Sequence, residues 1–214
     1  MNNQIYLHGI YAKSEIYNSK MTLKILKEIL KTDALLSARL QKMDSYSTYF
    51  NGMDYISLCD YEKRNILSSD GFNSYEEYIR YSLALIFPKN KLKVIVPKII
   101  NIEYNKDYFR KMQILGMSDD KRFSDLPDEV QVKDSVSLDY LIGMFLPICR
   151  FYTFFLTESK MTDNILEEIE KIKKLLNEYN RDVPIYDTDT CESLENIENV
   201  KLLVKEYRKY KRYR

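Results

Sequence analysis

One histidine, His8, occurs in the 214 residues, and that scarcity removes whole reaction classes. A zinc centre built on paired histidines cannot form. A Ser-His-Asp or Cys-His nucleophile pair would have to use His8, and no nucleophile-elbow pattern supplies its partner. Glycine is scarce as well: the five glycines stand isolated, so neither a P-loop nor a glycine-rich dinucleotide fingerprint is available. Any nucleotide must be held by other means. The three cysteines, Cys59, Cys149 and Cys191, lie too far apart for a paired disulfide framework or for close zinc-ligand pairs. Buried or idle thiols in a reducing compartment are the expectation. Neither sign of charge is in excess: 33 basic against 32 acidic residues leave +1, so attraction to nucleic acid or to an anionic bilayer must come from a local patch. The greasiest stretch, Leu141 to Phe155, is interrupted by Arg150 and is shorter than the ~20 residues a spanning helix needs. The chain opens on Met1, Asn2 and Asn3 and reaches His8 before any long apolar run, unlike a secretory signal. A cytoplasmic protein without membrane association is expected.

What is present suits a folded chain. Hydrophobic residues at 45% against charged residues at 30% give the balance of a soluble globular protein with a packed core. Residues 1–214 are read as one domain, with 1–160 as its core and 161–214 as C-terminal helices and an edge strand. Gln4 to Ile10 alternates like a short strand. From Thr22, a plausible N-cap, Leu23, Leu26 and Leu30 follow helical spacing, and the helix should stop at Thr32-Asp33. Asp54 to Cys59 is strand-like and follows Asn51-Gly52, a tight-turn dipeptide. Ser82 to Phe87 and Lys93 to Val96 read as two more strands, joined as a hairpin across Pro88 and Asn90. Glu129 to Lys133 alternates after a loop rich in Ser, Asp and Pro. Ile165, Ile169, Ile172, Leu176 and Tyr179 form an amphipathic stripe that Thr162 would cap. Val183 to Tyr186 is read as a late edge strand. A last helix starts near Glu195, turns Val200, Leu203 and Val204 inward, and runs into a basic tail interleaved with Tyr207, Tyr210 and Tyr213. The class is α+β, because irregular loops rather than crossover helices separate the strands.

Four fragments, in order, resemble the ADP-ribosyltransferase family. They are YLHG (Tyr6 to Gly9), ILKEILKTDALLS (Ile25 to Ser37), NGMDYISLC (Asn51 to Cys59) and FSDLPDEVQVKDSVSLDYL (Phe123 to Leu141). The resemblance implies a split antiparallel sheet with flanking helices and a helical C-terminus, and NAD folded in the cleft between facing strands. It implies that His8 hydrogen-bonds the nicotinamide ribose and that Gly9 offers its backbone to the carboxamide. Tyr55 resembles the stacking aromatic of the His-Tyr-Glu subgroup, while Ser57 occupies the hydroxyl position of the Ser-Thr-Ser subgroup. Glu129 resembles the catalytic glutamate, and Arg39 is expected at the NAD pyrophosphate. His8, Tyr55 and Glu129 should then converge on one cleft.

The chemistry fits these residue types. Breaking the bond from ribose to nicotinamide builds oxocarbenium character on the sugar, and a fixed carboxylate stabilises it. NAD is consumed as a substrate, with no metal and no redox machinery. Pro127 stands where arginine-modifying relatives keep an acidic or amide residue, which disfavours arginine as the acceptor. The resemblance points to mono-ADP-ribosylation of a protein or nucleic-acid acceptor by a toxin or effector. The alternatives are a noncatalytic binding module of the same fold and an NAD glycohydrolase. The sequence does not set the oligomeric state.

Overall fold

Ile5–Ile10 forms the strand that the sequence pattern requires, β1, buried on both faces except at the half-buried His8 and Gly9, and it is central to the sheet. The computed structural model describes residues 4–10, 17–37, 40–41, 54–61, 82–95, 129–151 and 156–211. β1 pairs antiparallel with β3 (Tyr55–Asp60) on one edge and with β4 (Leu83–Pro88) on the other. β5 (Glu129–Lys133) adds outside β3, and β7 (Gly143–Leu146) outside β4. β8 (Ile185–Asp187) closes the six-stranded sheet and runs parallel to β7. The sheet is thus mixed rather than wholly antiparallel. A two-stranded sheet joins β2 (Ala34–Leu36) to β6 (Ser135–Ser137). The α+β class is as the sequence predicts.

The sheet carries apolar side chains on both faces. Tyr6, Ile10, Ile56, Leu58, Leu83, Leu85 and Phe87 meet the helices in the larger core cluster. Ile5, Leu7, Cys59, Ala84, Ile86 and Phe145 form a smaller cluster on the opposite face. Burial on both sides explains why Leu83 to Phe87 is an unbroken apolar run rather than an alternating one.

Three helices pack on the larger cluster: α1 (Ser19–Thr32), α2 (Glu158–Glu178) and α3 (Ile197–Lys211). The first two begin earlier than expected. Asn18, not Thr22, caps α1 by accepting from the Met21 amide at 3.1 Å. Thr157, not Thr162, caps α2, and Thr162 instead turns its hydroxyl back to the Glu158 carbonyl at 2.9 Å. Both threonines are buried one turn inside, where apolar spacing alone misreads them as boundaries. α1 ends as expected: Asp33 takes the left-handed conformation, with φ 54°, and its N–H bonds the Leu30 carbonyl at 3.2 Å.

Polar contacts fix the helix ends against the sheet. The Arg181 guanidinium, just past α2, bonds the Leu138 carbonyl at 2.7 Å, the Asp139 carboxylate at 3.2 Å and the Asp33 carboxylate. One planar fork therefore joins the end of α1 to the turn after β6. Tyr17 and Ser19 both donate to the buried Glu168 carboxylate of α2, at 2.9 and 2.5 Å. Tyr207 of α3 donates to buried Asp187 of β8 at 2.8 Å, and Arg208 lies 3.7 Å from Glu158. The basic tail is therefore built into the fold through Tyr207 and Arg208. Residues 212–214 lie outside the described residues, as do Asn51-Gly52 and most of the apolar stretch after Phe151.

The hairpin expected after Phe87 does not form. Both edges of β4 are taken, by β1 and β7. The chain makes a 3-10 turn at Lys89–Lys91, held by Lys89 N–H to the Gln4 carbonyl at 3.0 Å and by Lys89 Nζ to Asp60 at 2.6 Å. It then reaches the far edge of the sheet, where Ile95 forms an antiparallel bridge with Gln131 of β5. Among the described residues no helix is long and apolar enough to cross a membrane.

Gly143 permits the closest approach between β7 and its surroundings. A Cβ there would stand 3.2 Å from the Tyr186 ring, 3.3 Å from Ile86 and 3.3 Å from the Pro184 carbonyl. The carbonyl cannot swing aside as a side-chain tip would. Gly143→Ala should therefore lose about 1–3 kcal/mol of stability, read as a lower denaturant midpoint with an unchanged slope.

Candidate active site

The rungs of the sheet set out the site. β1 holds β4 over six consecutive pairs, and β3 holds β5 over five. The ladder between β1 and β3 is limited to Tyr6↔Asp60 and Leu7↔Cys59. Past Leu7 the two strands part. The ladder therefore lapses between the strands that carry the first and second motifs, within one continuous sheet, and β5, with the third, lies beside β3.

His8 sits where the ladder lapses. Its Nδ1 lies 3.0 Å from the Ser57 carbonyl oxygen. The direction of that carbonyl follows from β5. Gln131 gives its N–H to the Ile95 carbonyl and accepts from the Ile95 N–H, each at 2.8 Å, so its main chain points away from β3. Ser57↔Gln131 is then a non-hydrogen-bonded rung, and the Ser57 main chain points toward β1. The His8 side chain meets it there.

A carbonyl only accepts, so Nδ1 carries the proton and Nε2 of the neutral ring is the acceptor. Burial lowers the His8 pKa, and the bond to Ser57 opposes that shift without cancelling it. The imidazole is neutral at pH 7, with a fixed tautomer and one lone pair to offer a hydroxyl.

The other expected residues fall on rungs of the same strands. Leu7, Cys59 and Glu129 share one rung, Ser57 and Gln131 lie two rungs on, and Tyr55 and Lys133 two beyond that. Gly9 pairs with Ala84. By alternation Gly9, Tyr55, Ser57 and the position of Glu129 belong to the face of Leu7 and Cys59, whereas His8 belongs to the face of Tyr6 and Ile10. The three residues expected around one cleft thus do not share one face. The His8 ring joins the others only through the parting of β1 from β3, at Ser57. Along the Tyr55 face, burial relaxes from Leu7 and Cys59 to the half-buried Gly9, Ser57 and Tyr55. Arg39 and the loop from Phe123 to Asp128 lie outside the described residues.

Two features were missed in the sequence. Ser57 enters this geometry through its main-chain carbonyl. Gln131 is buried although polar. Its signal was present, since Val130 and Val132 turned inward leave Gln131 on the side of Glu129. Neither Cys149 nor Cys59 is a candidate nucleophile: burial pushes Cys149 up to about 12, and Cys59 is buried in the smaller cluster.

No family model and no curated protein matches this sequence. Among solved structures the chain is similar to DarT of Thermus sp. 2.9 in complex with ADP-ribosylated ssDNA, at 11% identity and a TM-score of 0.44, over 86% of this chain and 94% of that one. It is similar to the same protein in complex with carba-NAD+, at 12% identity and a TM-score of 0.41, over 86% and 95%.

The environment of His8 has a direct readout, because the chain has one imidazole. Nuclear magnetic resonance should find one histidine, protonated on Nδ1 and titrating below the ordinary 6.5. Below that value the unfolded chain binds a proton that the folded chain refuses, so this group should make stability fall as the pH is lowered below 6.5, until the folded pKa is reached. A titration at or above 6.5 would contradict the burial of the ring.

Proposed function

We propose that the chain is a mono-ADP-ribosyltransferase that cleaves NAD and passes ADP-ribose to a macromolecular acceptor. The observation that carries this reading is the sheet order. Three motif fragments distant in sequence lie on neighbouring strands, β1, β3 and β5, and the pairing of the first two lapses at His8 and Ser57.

In this reading the nicotinamide ribose enters the parting of β1 from β3. A ribose hydroxyl donates to His8 Nε2, the Gly9 backbone meets the carboxamide, and Tyr55 stacks on the nicotinamide ring. The bond from C1′ to the ring nitrogen breaks, its electron pair leaves with neutral nicotinamide, and positive charge grows on the ribose. Glu129 stabilises that charge, then takes the proton of the incoming nucleophile as it bonds C1′. Arg39 meets the pyrophosphate. Of the two acceptor classes, nucleic acid is favoured by the exposed Lys205 and Lys209 of α3, which suit salt-sensitive phosphate contacts.

Nicotinamide release from NAD, with and without cell lysate, tests the activity. Release only with lysate is expected. Release in buffer alone would identify a glycohydrolase, and none under either condition a binding module. Glu129→Gln should lower kcat by ~100-fold or more with little change in KM for NAD, since the carboxylate acts on charge that develops in the transition state. A chain truncated after Arg208 keeps the Tyr207–Asp187 bond. It should bind NAD normally and lose salt-dependent labelling of DNA or RNA, and with it the acceptor-dependent release of nicotinamide. Unchanged labelling would remove the tail from acceptor binding.

A further inference from the structure

Four lysines of α1, Lys20, Lys24, Lys27 and Lys31, are all exposed. At roughly 100° per residue their spacing places them within about 60° of one another, in a row about 16 Å long. The buried Thr22, Leu26 and Leu30 take the other side of the helix, and Leu23, Ile25 and Ile29 pack against the core beside them. Four lysines against the single acid Glu28 give Ser19–Thr32 a charge of +3 in a chain whose net charge is +1. The nearby carboxylates are engaged: Glu28 with Lys31 at 2.7 Å, and Asp33 with Arg181. Among the described residues Lys20, Lys24 and Lys27 make no ion pair, whereas Lys171 and Lys173 of α2 and Lys201 and Arg208 of α3 each meet a carboxylate. Both ends of the row are pinned, by the bonds of Tyr17 and Ser19 to Glu168 and by that of Arg181 to Asp33. The uncompensated charge is thus held on a fixed frame.

We propose that the exposed face of α1 is a docking surface for the phosphate backbone of a nucleic acid, distinct from the candidate active site. It goes beyond the transferase reading, because α1 packs on the Tyr6 face of the sheet while Gly9, Tyr55 and Ser57 belong to the other, and the contact needs no NAD. A row of ammonium groups suits a chain of phosphates, since each lysine meets a phosphate as a point charge and every contact releases counterions. Acidic side chains are a poorer match, because planar carboxylates are best met by the fork of arginine. An anionic bilayer would also attract the row, but a helix that lies in a bilayer surface buries its apolar face there. The apolar face of α1 is already in the core. Contacts of this kind hold a strand without reading its bases.

Fluorescence anisotropy of a labelled single-stranded DNA of mixed sequence, titrated with the full chain over a range of salt and without NAD, tests this. Lys24→Gln with Lys27→Gln keeps helix propensity and should weaken binding. It should also reduce the slope of log K against log salt by about 1.4, the change for two phosphate contacts on a single strand. Lys24→Arg with Lys27→Arg keeps the charge and should bind as wild type does. Lys160→Gln with Lys174→Gln, at exposed positions of α2, changes the net charge equally and should leave affinity and slope unchanged. Wild-type affinity and slope in the α1 glutamine pair, or equal losses in the α1 and α2 pairs, would overturn the proposal. So would a wild type that binds no DNA, or one that binds vesicles of phosphatidylserine and phosphatidylcholine in its place. None of these outcomes bears on NAD cleavage, which nicotinamide release tests separately.

Discussion

Where β1 and β3 part, a side chain takes over from a backbone ladder. The His8 imidazole bonds the Ser57 carbonyl at 3.0 Å, one residue beyond the last pair of the two strands. Two constraints make this the hinge of the structure. β1 stays registered with β4 through Ile10, and β3 stays registered with β5 back to Tyr55. Neither strand can follow the other once they diverge. The bond limits the divergence and selects one tautomer, so the opening is edged by a defined acceptor nitrogen. A hydrogen bond to a main-chain atom serves this purpose well, because the carbonyl's direction is set by strand pairing rather than by rotamer choice.

The rest of the fold keeps that opening in place. The three described helices pack on the Tyr6 face, and their ends are tied by polar contacts that reach across the chain. Arg181 gathers the end of α1 and the turn after β6, while Glu168 receives two donors from the segment entering α1. The opposite face has a smaller apolar cluster, which gives way to half-buried Gly9, Ser57 and Tyr55. Among the described residues the larger core lies on one side of the sheet, and Gly9, Tyr55 and Ser57 lie on the other. His8 is the residue that belongs by alternation to the first side and acts at the second. Its lowered pKa follows from that position, since a ring lodged between strands is poorly hydrated.

Local pattern was enough for much of the chain. Alternation marked β1 and β5, the turn dipeptide before it marked β3, and 3.6-residue spacing marked the cores of the three described helices. The left-handed stop at Asp33 was legible because few side chains tolerate it. Boundaries were harder: Thr22 and Thr162 have cap chemistry, yet each lies a turn inside its helix, and only the bonds made by Asn18 and Thr157 decide the matter. Motif order brought His8, Tyr55, Ser57 and Glu129 forward as candidates. What remained hidden was non-local. The sequence does not say which edges of β4 are already occupied, so Lys93 to Val96 read as a hairpin partner although Ile95 belongs to the far side of the sheet. It does not say that β1 and β3 separate after two rungs, or that His8 and Tyr55 occupy opposite faces. Periodicity fixes which side chains of one strand lie together. Which face of that strand meets which face of another is decided by register, and register is set by competition among all the strands for a limited number of edges.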